Sequence, residues 1–492
     1  MYKEEMKFNS IADALFYYAG CIPNKLCYAD EEREYSFAEV SKLVKNCAKY
    51  LTKIGIKNND CIVVESTQDA KFLILGMACQ VIGAIFVPLE NKTSEIRCRE
   101  IVFEVDAKLL ISENQYDVSI DKRSLREILD CCVELEKEQL EITIDKEQTS
   151  EILYTTGTTG TPKGIMITNK NNVSIAENVI YGTEMKKNSV ELILLPLSHS
   201  HALRSCYANM VNGSTSIIVK GITKVKEIFE KIEKYKITAM DISPSAVRIL
   251  LKLSKGKFNE YKEQFDFIEI GTTVVDEEIK KELYQLFTKS RLYNSYGSTE
   301  AGRTCLFDFS KEHGKKGCIG KPTKHAKFII VDVNRNEIKS SKENMGLIAV
   351  SGTMNMKGYW KDEERSLQVM ENGYIYTNDV GYIDEDGSVY ILGRVDDVIT
   401  YRGIKISPEE IENVVLKYSE VVDCACVPVK DEICGQIPKV FVVVKDKGVF
   451  KKEHLIEFLS INIDSTRMPQ IIQVIDEIPR SYNGKIQRKK LM

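Results

Sequence analysis

The spacing of apolar and polar positions changes along the chain, and each change predicts an element. In the first 150 residues, stretches of helical spacing alternate with short apolar runs. Ser36 followed by Glu39 forms a capping box that opens a helix near Phe37. Cys61 to Glu65 and Ala84 to Pro88 read as buried strands. Phe72 to Pro88, FLILGMACQVIGAIFVP, reads as a core helix running into a strand. It is short for a membrane span, contains Gln80 and ends in proline, so no span is expected. Such alternation predicts an α/β layer with parallel strands. It resumes at Ile193 to Pro196, Ser216 to Val219 and Ile268 to Gly271, read as strands, with a helix start at Ser243-Pro244.

After about residue 317 short strands and turns take over: Phe328 to Val331, Gly346 to Ser351, and Tyr382 to Leu392 folded back at Asp386-Gly387. Ser407-Pro408-Glu409-Glu410 starts a helix, with serine as cap, proline at the first helical position and glutamate three after the cap. The last hundred residues read as a small α+β domain.

Composition narrows the class. The chain has 492 residues, 43% hydrophobic and 28% charged, which fits several soluble folded units of roughly 100–200 residues each. A net charge of −4 gives no general attraction to nucleic acid. With 14 cysteines but no CxxC pair, and only five histidines, no zinc site is expected. The start, MYKEEMKFNS, lacks a basic region followed by an apolar core, so no signal peptide is expected and the cysteine-rich chain reads as cytoplasmic.

Four segments carry chemistry. Tyr154 to Gly164 reads YTTGTTGTPKG: three glycines let backbone N–H groups crowd an anion, threonines add hydroxyls, and Lys163 adds charge. It is not a Walker loop, because Gly164 follows the lysine and Ile165 to Thr168 reads as a strand. Tyr296-Gly297-Ser298-Thr299-Glu300 offers a ring to stack on a base, a hydroxyl for phosphate and a carboxylate for magnesium. Gly393-Arg394-Val395-Asp396-Asp397, with Asp379 upstream, offers partners for ribose hydroxyls. Pro479-Arg480-Ser481-Tyr482-Asn483-Gly484-Lys485 ends the set, with an Asn-Gly turn presenting Lys485.

Together, and in this order, the four segments resemble the adenylate-forming superfamily of acyl-CoA synthetases, peptide-synthetase adenylation domains and luciferases. The resemblance spans roughly residues 10 to 492. It implies an α/β multidomain fold: a large N-terminal domain, residues 1–394, of α/β layers plus a small β-barrel-like part, hinged to a small mobile α+β C-terminal domain, residues 395–492. It implies that Thr155, Thr156, Gly157, Thr158, Thr159, Gly160 and Lys163 hold the ATP phosphates, and that Tyr296 packs on adenine. Thr299 and Glu300 contact phosphate and magnesium, and Asp379 and Arg394 bind the ribose. Lys485 bridges the substrate carboxylate and α-phosphate, Asp396 is the hinge, and Gly403 lines the thiol tunnel. His199, Gly271 and Gly297 line the substrate. The implied reaction makes an acyl-AMP from a carboxylic acid, ATP and Mg2+, then a thioester with coenzyme A or the phosphopantetheine of an acyl carrier protein.

Three departures bear on this. The usual TGD is Thr377-Asn378-Asp379, Ser198 replaces an aromatic residue before His199, and Gly271-Thr272-Thr273-Val274 replaces a GGAP-like segment. Ser198 to Arg204 contains no carboxylate to pair a substrate ammonium, so a fatty or aromatic acid without an α-amino group is expected. A dicarboxylic acid held by Arg204 or Arg303 is the lesser alternative, beside structural arginines. Competing classes are a nucleotide-binding regulator without catalysis, opposed by Lys163, Glu300 and Lys485, and a P-loop NTPase, opposed by Gly164.

Overall fold

The computed structural model describes residues 6–91, 93–132, 140, 142, 144–155, 163–222, 224–254, 256–271, 275, 277–401, 404–463, 467–480 and 486–492. Internal contacts divide the chain into two compact units. One comprises Met1–Gly314, Ile319–Lys327 and Val350–Ile375; the other comprises Lys315–Cys318, Phe328–Ala349 and Tyr376–Met492.

The first unit holds the predicted α/β layers. In one sheet, strands Arg291–Ser298, Phe267–Ile270, Ala239–Ile242, Val190–Ile193, Thr215–Ile218 and Leu26–Ala29 run parallel in that spatial order. Gly302–Asp308 and Glu34–Ser36 flank them antiparallel. The direction of growth reverses at Val190–Ile193, which lies between Thr215–Ile218 and Ala239–Ile242. In open α/β sheets, ligands bind outside the carboxyl ends of the strands at such a reversal. A second sheet orders Gly358–Tyr359, Lys163–Thr168, Thr149–Thr155, Ile85–Leu89, Cys61–Glu65, Leu109–Ile111 and Asp121–Arg123.

Local chemistry explains the elements. Ser36 and Glu39 form the reciprocal capping box ahead of Phe37–Lys53. Ala70–Ile82 is apolar on every side and almost wholly buried, as a core helix must be. It begins at Asp69, which accepts from the Lys71 and Phe72 amides, and leads into the strand Ile85–Leu89. Among the described residues no helix is long and apolar enough to cross a membrane. Ser243 caps Pro244–Leu253, with proline in the first turn. The expected strand Ile193 to Pro196 is corrected: the strand is Val190–Ile193. Pattern reading skipped it because Glu191 sits inside, yet Glu191 is buried and accepts from the Asn209 amide.

In the second unit, strands Tyr374–Ile383 and Val389–Arg394 form the predicted hairpin, with Gly387 at φ +81°. Downstream, Ile404–Ile406, Ile399–Tyr401, Gly435–Val444 and Val421–Asp431 form a sheet, to which Ile471–Val474 adds in parallel. Pro408–Val415 and Lys452–Asn462 pack apolar residues against it, including Ile411, Val415, Leu455 and Leu459. Ser407 precedes the first of these helices but makes no side-chain cap; its carbonyl accepts from the Glu410 amide at 3.2 Å.

Candidate active site

The phosphate-loop motif and the Tyr296 to Glu300 motif meet on one side chain that neither contains. Lys163 opens its strand opposite Thr155, and its ammonium lies 5.1 Å from the centre of the Tyr359 ring. The Tyr359 hydroxyl donates to Glu300 Oε1 at 3.1 Å. Tyr359 is held by strand pairing to Ile165, and the Met356 amide donates to the Glu300 carbonyl at 2.7 Å. Burial, then the Glu300 charge, pushes the Tyr359 hydroxyl well up, so it stays a donor. Glu300 keeps a hard carboxylate oxygen, the donor type that magnesium prefers. Tyr359 stands in no recognised motif, which is why the sequence alone passes it by.

Tyr296 and Gly297 end a strand paired to Cys305 and Arg303, and Thr299 and Glu300 lie in the following turn. Gly297 has no alternative at its position: a Cβ there would stand 1.9 Å from the Gly302 carbonyl oxygen. Thr156, Gly157, Thr158, Thr159, Gly160, Lys485 and Gly403 lie outside the described residues, as does the Asn483-Gly484 turn.

Around His199, expected to line the substrate, buried charged side chains gather. His199 precedes the helix Ser200–Asn212, and its Nε2 lies 3.9 Å from Glu90. One turn on, His201 Nε2 is 2.8 Å from Asp241 Oδ1. His201 also fixes Gly271, where a Cβ would meet its Cε1 at 2.2 Å and Ser295 Oγ at 2.6 Å. Asp241 and Glu269 stand directly opposite each other on neighbouring parallel strands. Arg303 reaches both: Nη2 donates to Asp241 Oδ2 at 2.8 Å, and Nε lies 3.1 Å from Glu269 Oε1. Asp241 also accepts from Ser205 at 2.6 Å. Burial alone would raise its carboxyl, but His201 and Arg303 outweigh burial and hold it down at about 2. Burial pushes the Glu269 carboxyl above its ordinary range despite Arg303.

Arg204, on the same helix as His201, is fully buried and donates to Glu151 at 2.8 Å, while Tyr207 donates to the other Glu151 oxygen at 2.5 Å. Both arginines considered as anchors for a second substrate carboxylate are thus already paired with protein carboxylates.

In the second unit, the two residues expected at the ribose come together. Asp379 and Arg394 are direct partners across the hairpin. Asp396 lies in the turn after Arg394, exposed, with Lys489 Nζ 3.8 Å away. Arg488 ties the motifs of this unit: it donates to both Glu412 oxygens at 2.8 Å and lies 3.9 Å from Asp397. Burial pushes the neighbouring Glu409 carboxyl up to about 7.

The family model described as AMP-binding enzyme matches residues 17–360, and that described as AMP-binding enzyme C-terminal domain matches residues 410–485. The chain belongs to the AMP-binding enzyme family. It is therefore an adenylate-forming enzyme, as the four motifs imply, with the expected mixed α/β fold. The 4-coumarate–CoA ligase 3 of Arabidopsis thaliana is 26% identical over 93% of this chain and 86% of that protein. The 4-coumarate–CoA ligase 2 of Petroselinum crispum is 27% identical over 93% and 88%. Among solved structures, ATP-bound MatB from Rhodopseudomonas palustris superposes with a TM-score of 0.88 at 21% identity, covering 98% of each chain. The o-succinylbenzoate coenzyme A synthetase of Bacillus subtilis, in complex with ATP and magnesium ion, gives 0.84 at 24% identity, covering 97% of this chain and 98% of that one. At these identities the two structural likenesses speak for the fold of this AMP-binding enzyme.

Proposed function

We propose that this enzyme activates a fatty or aromatic carboxylic acid with ATP and Mg2+ as an acyl-AMP, releasing pyrophosphate, and passes the acyl group to the thiol of coenzyme A. The observation that carries the reading is the meeting of Lys163 and Glu300, from separate motifs, on Tyr359. A cation and a carboxylate brought beside one tyrosine suit a nucleotide triphosphate and its metal. The curated relatives named as CoA ligases support coenzyme A as acceptor.

In the first step a carboxylate oxygen attacks the α-phosphorus and pyrophosphate leaves with the bonding electron pair. Two anions must approach, so positive charge fixed in advance lowers the barrier. Lys485 takes that part, with Lys163 and the threonine loop on the phosphates. Magnesium, when bound by Glu300, supplies charge neutralisation at the phosphate oxygens. Asp379 and Arg394 hold the ribose, and Tyr296 covers the adenine. In the second step the thiol sulfur attacks the acyl carbon and AMP leaves. One site serves both steps if residues 395–492 turn about Asp396, withdrawing Lys485 and bringing in the Gly403 loop.

The test incubates the enzyme with ATP, Mg2+, coenzyme A and a panel of aryl and straight-chain acids, reading AMP, pyrophosphate and acyl-CoA. Stoichiometric formation of all three is expected. Pyrophosphate release with acyl transfer only to a holo acyl carrier protein would replace the acceptor. Tight ATP binding with no acid-dependent pyrophosphate would favour the regulator instead.

A further inference from the structure

The short segment Met356 to Trp360 fastens two motifs together by its backbone. The Met356 amide donates to the Glu300 carbonyl at 2.7 Å. The Lys357 amide donates to the Met166 carbonyl at 2.9 Å, and the Trp360 amide to the Gly164 carbonyl at 2.7 Å. Both of these acceptors lie on the strand Lys163–Thr168 that follows the phosphate loop. Tyr359 pairs with Ile165 of the same strand, and its amide donates to Ser366 Oγ at 2.8 Å. So many bonds on its own backbone and its neighbours' set the place of the Tyr359 side chain.

That side chain is buried. A position that needed only an aromatic ring would be filled at lower cost by phenylalanine, since a buried hydroxyl is unfavourable unless it is bonded. Here the hydroxyl donates to Glu300 Oε1 at 3.1 Å. Burial and the Glu300 charge push the phenol well up, so it stays a donor and is no base near neutral pH. The Lys163 ammonium lies over the same ring, 5.1 Å from its centre. The cation thus meets the ring and the carboxylate meets the hydroxyl. Carboxylates that hold metal ions are themselves held by hydrogen bonds, which fix the orientation of the ligating oxygen.

We infer that Tyr359 is a positioning residue for magnesium, its hydroxyl holding Oε1 of Glu300 so that the carboxylate is oriented for the ion that accompanies ATP. The inference rests on the proposed reading of Glu300 as the magnesium carboxylate, and adds to it a residue outside the four motifs. Phenylalanine keeps the ring beneath Lys163 and loses only the hydroxyl, so one substitution separates the two contacts.

The experiment binds α,β-methylene ATP, which cannot release pyrophosphate, to the whole enzyme. Calorimetry gives its affinity in EDTA and over a series of Mg2+ concentrations, and electron paramagnetic resonance counts Mn2+ held in the ternary complex. In Tyr359→Phe the ion is expected to bind about tenfold more weakly. Nucleotide affinity in EDTA should stay within about twofold, because the ring remains. In acid-dependent pyrophosphate release, the Mg2+ concentration for half-maximal rate should rise by a similar factor, with little change in KM for the acid. In a Glu300→Gln background Tyr359→Phe should weaken the ion no further, because the hydroxyl acts through Glu300. Unchanged ion binding in Tyr359→Phe, or the same weakening in both backgrounds, overturns the inference. So does a Tyr359→Phe protein that does not fold, or one whose EDTA affinity and KM for the acid worsen as much as its ion binding, since either makes Tyr359 a residue of the core alone. A wild-type enzyme that holds Mn2+ with the nucleotide yet releases no pyrophosphate with any acid overturns the acid-activating reading alone.

Discussion

Two buried arginines of the first unit are balanced in different ways. Arg204 has Glu151, and Tyr207 occupies the second carboxylate oxygen, so one cation meets one carboxylate. Arg303 is shared between Asp241 and Glu269, and His201 pairs with Asp241, so that cluster spreads two carboxylates over a guanidinium and an imidazole beside residues expected to line the substrate. The first arrangement is what a core needs to bury a charge. The second brings an imidazole into the balance, against Gly271. The difference teaches that burial of an arginine says little about its role until its carboxylates are counted.

The largest effect that would sharpen this contrast is on folding. Glu151→Ala leaves Arg204 buried without a counter-ion, and denaturant unfolding should report a loss of about 3–5 kcal/mol. The folded fraction should keep its acid selectivity. A stable Glu151→Ala protein with altered selectivity would break the contrast by moving Arg204 into the site. Gly271→Ala strikes the other cluster, because the new methyl would meet His201 Cε1 at 2.2 Å. It should cost about 1–3 kcal/mol of stability and raise the KM for the acid more than the KM for ATP. Equal changes in both constants would remove His201 from the acid side.

The smallest effect is the most discriminating. Glu269→Gln should change stability at pH 7 by less than about 1 kcal/mol or raise it, because it removes a charge that burial disfavours while Asp241 still pairs with Arg303. The sign follows from linkage. The folded carboxyl of Glu269 lies above its ordinary value of 4.5, so its charge costs stability once pH rises above that value and costs nothing when both states are protonated. The advantage of Glu269→Gln should therefore be present near neutrality and vanish below about pH 4. Asp241 behaves oppositely: its carboxyl, held at about 2, stabilises the fold above its ordinary 3.8, and that contribution is lost as pH falls through 2. An advantage that grows on acidification would contradict the upward shift of Glu269.

Much of the frame was legible in the chain. The Ser36–Glu39 box, the Ser243-Pro244 helix start, the strand Cys61–Glu65 and the hairpin at Asp386-Gly387 are local signals, and the structure has each. The family was legible too, because the residues expected at the nucleotide cluster in short glycine-rich or polar motifs. The buried charged cluster near His199 was not. Glu191, Asp241 and Glu269 each lie on a separate strand, where a pattern of apolar residues treats a charge as an interruption. Their partners Arg303 and His201 come from a further strand and from a helix, which only the tertiary fold brings near. Tyr359 escaped for the same reason, since its partners Lys163 and Glu300 lie far away in sequence. The Ser407 cap shows the reverse failure: the residue types fit, but the side chain makes no cap bond.

The measurement closest to the central claim separates the two half-reactions in Lys485→Ala. Acid-dependent exchange of labelled pyrophosphate into ATP should fall by about 10²–10³ when the lysine that offsets two approaching anions is removed. Thioester formation from pre-made acyl-AMP and coenzyme A should persist, because that step has no such encounter. Equal losses in both half-reactions of a folded variant, or exchange in the wild-type enzyme that needs no acid, would contradict the account.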